Sequence, residues 1–345
     1  MLPEYIAISD RIEDEVKRFL SVNSFSSIAI LVDYNTLQHC YPLIQFGLPD
    51  HFLIKINPGE ENKNIDTCQH IWSEMTRIGL DRKSLLINLG GGVIGDMGGF
   101  CAATYKRGIT FINIPTTLLS QVDASIGGKL GVDFSHFKNH IGIFKDPGQV
   151  LVDPTFLKSL PDKELRSGFA EVIKHCLIAD KIYWQKLTEN DFVAQPWNQL
   201  IPHSIGVKQQ VVKQDPFESG YRKVLNFGHT IGHAIESYFL NSEKKLLHGE
   251  AIAIGMIAES YLSMKKCGLA LGDLTEIKKY ICTIFPKIDL PLESWNEIVS
   301  LMTHDKKNSQ GEVQMALISS IGEAVYDIKI DQLEIIEAMK FYLED

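Results

Sequence analysis

Four short runs rich in Ile, Leu and Val each end in turn-forming residues. Ile28 to Val32 runs into Asp33-Tyr-Asn35, Ser84 to Leu89 into Gly90-Gly-Gly92, Ile109 to Ile114 into Pro115-Thr-Thr117, and Val150 to Val152 into Asp153-Pro154. Helix-like segments separate the runs, so the first half reads as βαβ units building a parallel sheet. Ligands of such sheets bind beyond the carboxyl ends of the strands, which makes the turn residues candidate contacts. After Pro154 the spacing changes, and Leu165, Phe169, Val172, Ile173, Cys176 and Leu177 recur at three and four residues. That is the period of helices, expected at about 162–178, 198–214, 227–240, 249–266, 273–284 and 331–343. Alternation of Val313, Met315 and Leu317 before Gly322 suggests a small hairpin within about 312–330. The expected fold class is α/β, with an α/β domain over residues 1–155 and a mainly α-helical domain over 156–345.

The length of 345 residues suits two domains, and 34 Lys plus Arg against 43 Asp plus Glu give a net charge of -9. Such a surface repels polyanions, so nucleic acid is not an expected partner and any basic cluster must serve a local purpose. The six cysteines are dispersed without a CxxC pair, which reads as reduced thiols. Acidic residues follow Met1-Leu-Pro-Glu-Tyr where an export signal would be basic and apolar, and the apolar stretch Ala251 to Ala258 is far short of the ~20 residues of a membrane helix. A cytoplasmic chain with no membrane partner is the expectation.

Three groups of residues could carry chemistry. Gly90-Gly-Gly-Val-Ile-Gly-Asp96 reads as a glycine-rich turn into a helix from Met97, where the backbone can approach a diphosphate. It lacks the GxGxxG spacing, and such a turn also serves tight packing. His229 and His233 lie four apart on one helix face, with His248 beyond and Glu171 on an earlier helix, a donor set suited to an open zinc site. Spacing alone does not say which histidine binds, and Glu171, Lys174 and His175 would also fit the polar stripe of an amphipathic helix. Finally, Arg107, Lys129, Lys138-Asn139, Lys174, Lys208, Arg222 and Lys306 are basic residues in apolar or glycine-rich settings, which points to a small substrate with more than one anionic group.

Combined with Pro115 to Asp123, Gly127-Gly-Lys129, Ala170 to Lys174, Asn226-Phe-Gly-His229, Gly232-His233, His248-Gly-Glu250 and Asp305-Lys-Lys307, these stretches resemble the 3-dehydroquinate synthase family across nearly the whole chain. The resemblance implies a Rossmann-like NAD-binding α/β domain, an α-helical metal and substrate domain, a cleft between them and a homodimer. It implies a divalent metal, zinc or cobalt, on Glu171, His229 and His248, with His233 left to meet substrate and move protons. NAD would contact Asp33, Asn35, Gly59, Glu60, Lys63, Gly91, Gly92, Val93, Ile94, Gly95, Asp96, Thr116, Thr117, Lys138, Phe156 and Ser159, with Asp123 and Lys129 where cofactor and substrate meet.

The implied substrate is 3-deoxy-D-arabino-heptulosonate 7-phosphate, oxidised transiently by NAD so that phosphate can leave. Arg107, Lys129, Asn139, His233 and Lys306 would surround its phosphate. Lys174, Lys208, Arg222 and Asn226 would hold hydroxyls and carboxylate, with Glu218 nearby; Lys129, Lys174, Lys208, Glu218 and His233 are the catalytic candidates. The chain departs from the family pattern at Pro216-Phe217, at Leu130, at Gly98 and at Ser159, which bears on local geometry. A sister sugar phosphate cyclase is the nearest alternative, but its substrate lacks the carboxylate that Lys208, Arg222 and Asn226 would meet. A metal-dependent polyol dehydrogenase would have little use for so many cations.

Overall fold

The computed structural model describes residues 3–135, 137–240, 242, 244–303 and 313–344. The chain divides into two compact units, one of residues 1–161 with 197–209, the other of 162–196 with 210–345.

Unit 1 contains β1 (Ile6–Ile8), β2 (Ile28–Asp33), β3 (Phe52–Ile56), β4 (Leu85–Gly90), β5 (Thr110–Pro115), β6 (Lys129–Phe134), β7 (Phe137–Phe144) and β8 (Gln149–Val152). Its helices are α1 (Ile12–Val22), α2 (Tyr34–His39), α3 (Tyr41–Ile44), α4 (Ile65–Arg77) and α5 (Gly92–Thr104). Six strands form a parallel sheet in the order β1-β8-β5-β4-β2-β3, while β6 and β7 pair as an antiparallel hairpin. The expected runs became β2, β4, β5 and β8 because both their faces are covered. Ala29, Leu31 and Leu86 point into one apolar cluster, and Ile28, Ile30, Val32, Leu85, Ile87 and Leu89 into the other. From β2 the chain moves outward to β3 and returns to lay β4 on the other side of β2, so Asp33 and Gly90 end adjacent strands where the topology reverses.

β1, β3, β6 and β7 carried no readable signal: β1 has three residues, β3 is a half-exposed edge, and glycines interrupt the β6–β7 hairpin. A second correction concerns the glycine-rich segment, since α5 begins at Gly92 and residues 92–96 are its first turn, where a looser turn ahead of Met97 was expected. α5 presses its glycine face on its neighbours. A Cβ at Gly98 would lie 2.0 Å from Oδ1 of Asn88, whose amide donates to Asn113 at 2.9 Å, and one at Gly99 would lie 2.5 Å from Leu130. The departures at Gly98 and Leu130 thus fall at adjacent close contacts of α5, one against Asn88 and the other against Gly99.

Unit 2 holds α6 (Asp162–Ala179), α7 (Lys181–Thr188), α9 (His229–Phe239), α10 (His248–Cys267), α11 (Leu271–Ile284), α12 (Trp295–Thr303) and α13 (Gln332–Leu343), with the hairpin β9 (Val313–Ser320) and β10 (Glu323–Ile330). Helix α8 (Trp197–Gln214) contributes to both units. α10 is buried almost all round, as its unbroken apolar run requires, and packs against α6, α9, α11 and α13. Two of these contacts are backbone on backbone. A Cβ at Gly249 would lie 2.0 Å from the Ser167 carbonyl oxygen on α6, and one at Gly255 would lie 2.0 Å from the Gly228 carbonyl oxygen at the start of α9. Among the described residues no helix is long and apolar enough to cross a membrane.

Because no flexible side chain can move aside at that second contact, Gly255→Ala is expected to cost about 1–3 kcal/mol through enforced separation of α9 and α10. The check is a urea unfolding midpoint, and a midpoint equal to that of the parent chain would contradict the close approach.

Candidate functional site

In unit 2 the polar groups of α6 do not form a solvated stripe. Glu171 and His175 are 0% exposed and Lys174 is 1% exposed, so their charge and polarity must be answered inside the protein. One carboxylate oxygen of Glu171 lies 3.3 Å from Nε2 of His229 and 3.4 Å from Nε2 of His248, while the Lys174 ammonium contacts the other oxygen. Neither oxygen accepts a well-directed hydrogen bond from the described residues.

The two imidazoles are turned the same way from behind. Nδ1 of His229 faces the Phe227 carbonyl at 3.1 Å, and Nδ1 of His248 faces Oε2 of Glu236 at 3.2 Å. With protons on Nδ1, both rings present an Nε2 lone pair toward Glu171, the arrangement of histidine ligands oriented by outer carbonyl and carboxylate groups. His233, one turn along α9 and exposed, joins the same locus: ligand-capable nitrogens of His229, His233 and His248 all lie within 4.8 Å of one another. Two nitrogens and a buried carboxylate with accepting capacity to spare fit a divalent metal of zinc type, with positions left for substrate.

The electrostatics follow from burial and neighbours. Burial would raise the Glu171 carboxyl, but Lys174 and the two histidines override it and hold it well below the usual carboxylate range. For His248, burial opposes the charged form, yet the neighbouring Glu171 and Glu236 carboxylates push it up to about 9. His229 moves down through burial and the nearby Lys174 charge. Deeper in the same region, Glu259 of α10 is 0% exposed, and burial pushes its carboxyl up to about 8 against the pull of backbone N–H donors.

A second group lies on the loop after α8. Arg222 is 2% exposed and donates from Nη1 to the Pro216 carbonyl at 2.6 Å, while its own N–H, with those of Ser219 and Gly220, donates to Asp215. Glu218 accepts from the Asn226 amide at 2.8 Å. Pro216 and Phe217 are accommodated here because the first contributes a carbonyl and the second points to solvent, 73% exposed.

In unit 1 some of the expected cofactor residues contact one another across chain segments, and the others are placed individually. Nζ of Lys63 donates to Asp96 at 2.5 Å and to Oδ1 of Asn139 at 2.6 Å, and Lys138 lies 3.6 Å from Glu60 in the turn after Gly59. Burial works against the Lys63 ammonium, but Asp96 and Glu60 raise its pKa; the Asp96 carboxyl is itself raised by burial. Asp33 caps α2 by accepting from Thr36 at 2.7 Å, with Asn35 exposed in the first helical turn. Gly91, Gly92, Val93, Ile94 and Gly95 form the amino-terminal end of α5, and a Cβ at Gly91 would lie 3.0 Å from Thr117. Thr116 donates from its backbone to Gly90, and Thr117 bonds Ser120 through its hydroxyl at 2.9 Å. Phe156 is buried, and Ser159 donates to its carbonyl.

Lys208 is buried beside Asp123, 2.8 Å from its carboxylate and 2.6 Å from its carbonyl. Lys129 opens β6 after Gly127 and Gly128, whose φ values of 97° and 66° only glycine adopts readily. Arg107 is exposed after α5. Lys306 lies outside the described residues.

Sequence reasoning passed over Glu236, Asp215 and Glu259. Glu236 follows His229 by seven residues and so shares its helix face, a spacing that could have revealed it. Glu259 stood out as a lone acid in the apolar run of α10.

The architecture is shared with solved enzymes of low sequence identity. A 2-epi-5-epi-valiolone synthase from Streptomyces hygroscopicus, solved with NAD+ and Zn2+, superposes with a TM-score of 0.87 at 23% identity over 99% of this chain and 97% of that one. A 2-deoxy-scyllo-inosose synthase, solved with carbaglucose-6-phosphate, NAD+ and Co2+, gives a TM-score of 0.85 at 24% identity over 97% and 96%. At these identities the likeness is one of fold, and sequence resolves the family. Residues 53–167 match the 3-dehydroquinate synthase N-terminal family model and residues 168–308 the C-terminal one. A 3-dehydroquinate synthase from Parabacteroides distasonis is 38% identical, with the alignment covering 100% of this chain and 99% of the relative. The chain belongs to the 3-dehydroquinate synthase family of enzymes.

If Glu236 fixes the His248 ring, Glu236→Gln should weaken zinc affinity by about 10–100-fold, read by competition with a chromophoric chelator. His229→Ala, which removes a ligand outright, should leave the purified protein nearly metal-free by elemental analysis; near-stoichiometric zinc would remove His229 from the ligand set.

Proposed function

We propose that this chain converts 3-deoxy-D-arabino-heptulosonate 7-phosphate to 3-dehydroquinate and phosphate, through transient oxidation at C5, phosphate elimination, reduction, ring opening and intramolecular aldol closure. Unit 1 is the NAD-binding domain in this reading, and unit 2 holds the metal on Glu171, His229 and His248. The observation that carries it is the buried Glu171 carboxylate faced by two oriented imidazoles, in a chain that matches a 3-dehydroquinate synthase from end to end. A homodimer working in the cytoplasm completes the reading.

When bound, NAD would supply a recyclable hydride acceptor and the divalent metal, held by Glu171, His229 and His248, would supply a Lewis acid for the substrate. The chain's own part is positioning and charge. Arg222, already fixed by the Pro216 carbonyl, meets the substrate carboxylate, with Lys174, Lys208 and Asn226 on the hydroxyls. Glu218 orients Asn226 by holding its amide nitrogen. His233 is the exposed imidazole of the histidine trio and so can exchange a proton with solvent and with substrate, while Arg107, Lys129, Asn139 and Lys306 supply the field for the phosphate. Asp123 holds the Lys208 ammonium in place. Because the substrate phosphate can itself accept the C6 proton, this placement of charges accounts for catalysis without a dedicated strong base.

The test is release of inorganic phosphate from 3-deoxy-D-arabino-heptulosonate 7-phosphate with zinc and catalytic NAD, the product identified by mass. Phosphate with dehydroquinate and no accumulating NADH is expected. Turnover of sedoheptulose 7-phosphate or glucose 6-phosphate in its place would make the chain a sister cyclase, and net NADH from a simple polyol would make it a dehydrogenase. Arg222→Ala should lower kcat/KM by roughly 2–4 kcal/mol, chiefly through KM, because the substrate carboxylate loses its buried partner. An unchanged kcat/KM would count against that role.

A further inference from the structure

Helix α9 carries His229 at its first position and has no cap of its own. Its N-cap residue is Gly228, with φ 80° and no side chain to accept from the free N–H groups of the first turn. Those groups point into protein, where leaving them unsatisfied is costly. Glu259, about three turns into α10, supplies the missing acceptors. Its Oε2 takes the Gly228 N–H at 2.5 Å and its Oε1 takes the Ile231 N–H at 3.0 Å. Both bonds are fully buried, and the carboxyl group lies at the positive end of the α9 dipole, which favours its ionised form.

The joint cannot shift without breaking. Gly228 and Gly255 are in backbone contact, and a Cβ at Gly232 would lie 3.0 Å from the Ala251 carbonyl oxygen, so α9 has no room to slide along α10. The same α10 begins at His248. One side chain therefore connects the start of the helix that bears one imidazole to the body of the helix that bears the other.

We infer that Glu259 is a positioning residue for the metal centre: by capping α9 from α10 it fixes the separation of His229 and His248 on either side of Glu171. This rests on the metal assignment proposed above. Glu259 touches neither substrate nor metal and acts only through the backbone of residues 228–231.

Glu259→Gln tests it, because the amide keeps the size of the side chain but puts an N–H donor where an acceptor is needed. Titrated with Co2+, the folded variant is expected to bind roughly tenfold more weakly than the parent and to show a shifted visible d–d spectrum in the loaded state. Glu259→Asp, which keeps two acceptors on a shorter stem, should recover part of both. Parent-like affinity and spectrum in a folded Glu259→Gln would overturn the inference, as would a lowered melting temperature with affinity and spectrum unchanged, which is the signature of a structural support alone. Should Glu259→Gln not fold, the Co2+ affinity and spectrum of Glu259→Asp decide: intermediate values support the inference and parent values overturn it. His229→Ala separates this from the parent reading, since retained metal there would refute the ligand set, whereas lost metal there with a parent-like Glu259→Gln refutes only the positioning role.

Discussion

The helical unit depends on how closely α10 lets other backbones approach. Glycine at 249 brings α6 within contact of the first turn of α10, and glycines at 228, 232 and 255 do the same for α9. A proposed metal ligand sits beside each of these contacts: Glu171 one turn beyond Ser167, His229 next to Gly228, and His248 next to Gly249. Ligand geometry is thus set by main-chain contact, which has no rotamers to relax, and the side chains need only span the last few ångströms.

The second governing fact is that the buried lysines are matched one by one with carboxylates. Lys63 meets Asp96, Lys174 meets Glu171 and Lys208 meets Asp123. Each pairing lies within a single unit and offsets part of the desolvation that a lone charge would suffer. An acidic chain can in this way keep several cations available for an anionic ligand while its overall field remains negative.

Much of this was legible in the sequence, for a physical reason in each case. Strands covered on both faces, such as β2 and β4, write long apolar runs, and helices with one buried face, such as α6, write a three-and-four spacing. α10 was visible through its unbroken apolar run. What escaped was marginal or long-range: the edge strand β3, the three-residue β1, the short helix α7, and α12. The ligand types were readable from His229, His233, His248 and Glu171, yet spacing left the choice among the histidines open, because Glu171 lies far away in sequence. Glu236 could have been suspected from its spacing to His229, whereas nothing local marks Glu259 as the partner of a distant backbone.

The bond from Arg222 to the carbonyl of Pro216 bears on how this loop can drift over time. A carbonyl is common to all twenty residue types, so the arginine inherits its place from the course of the chain. Side chains at 216 and 217 are then at liberty to change, one of them even to an exposed phenylalanine, while the guanidinium stays where it was. A substitution in that stretch that leaves the backbone path intact leaves the arginine its acceptor.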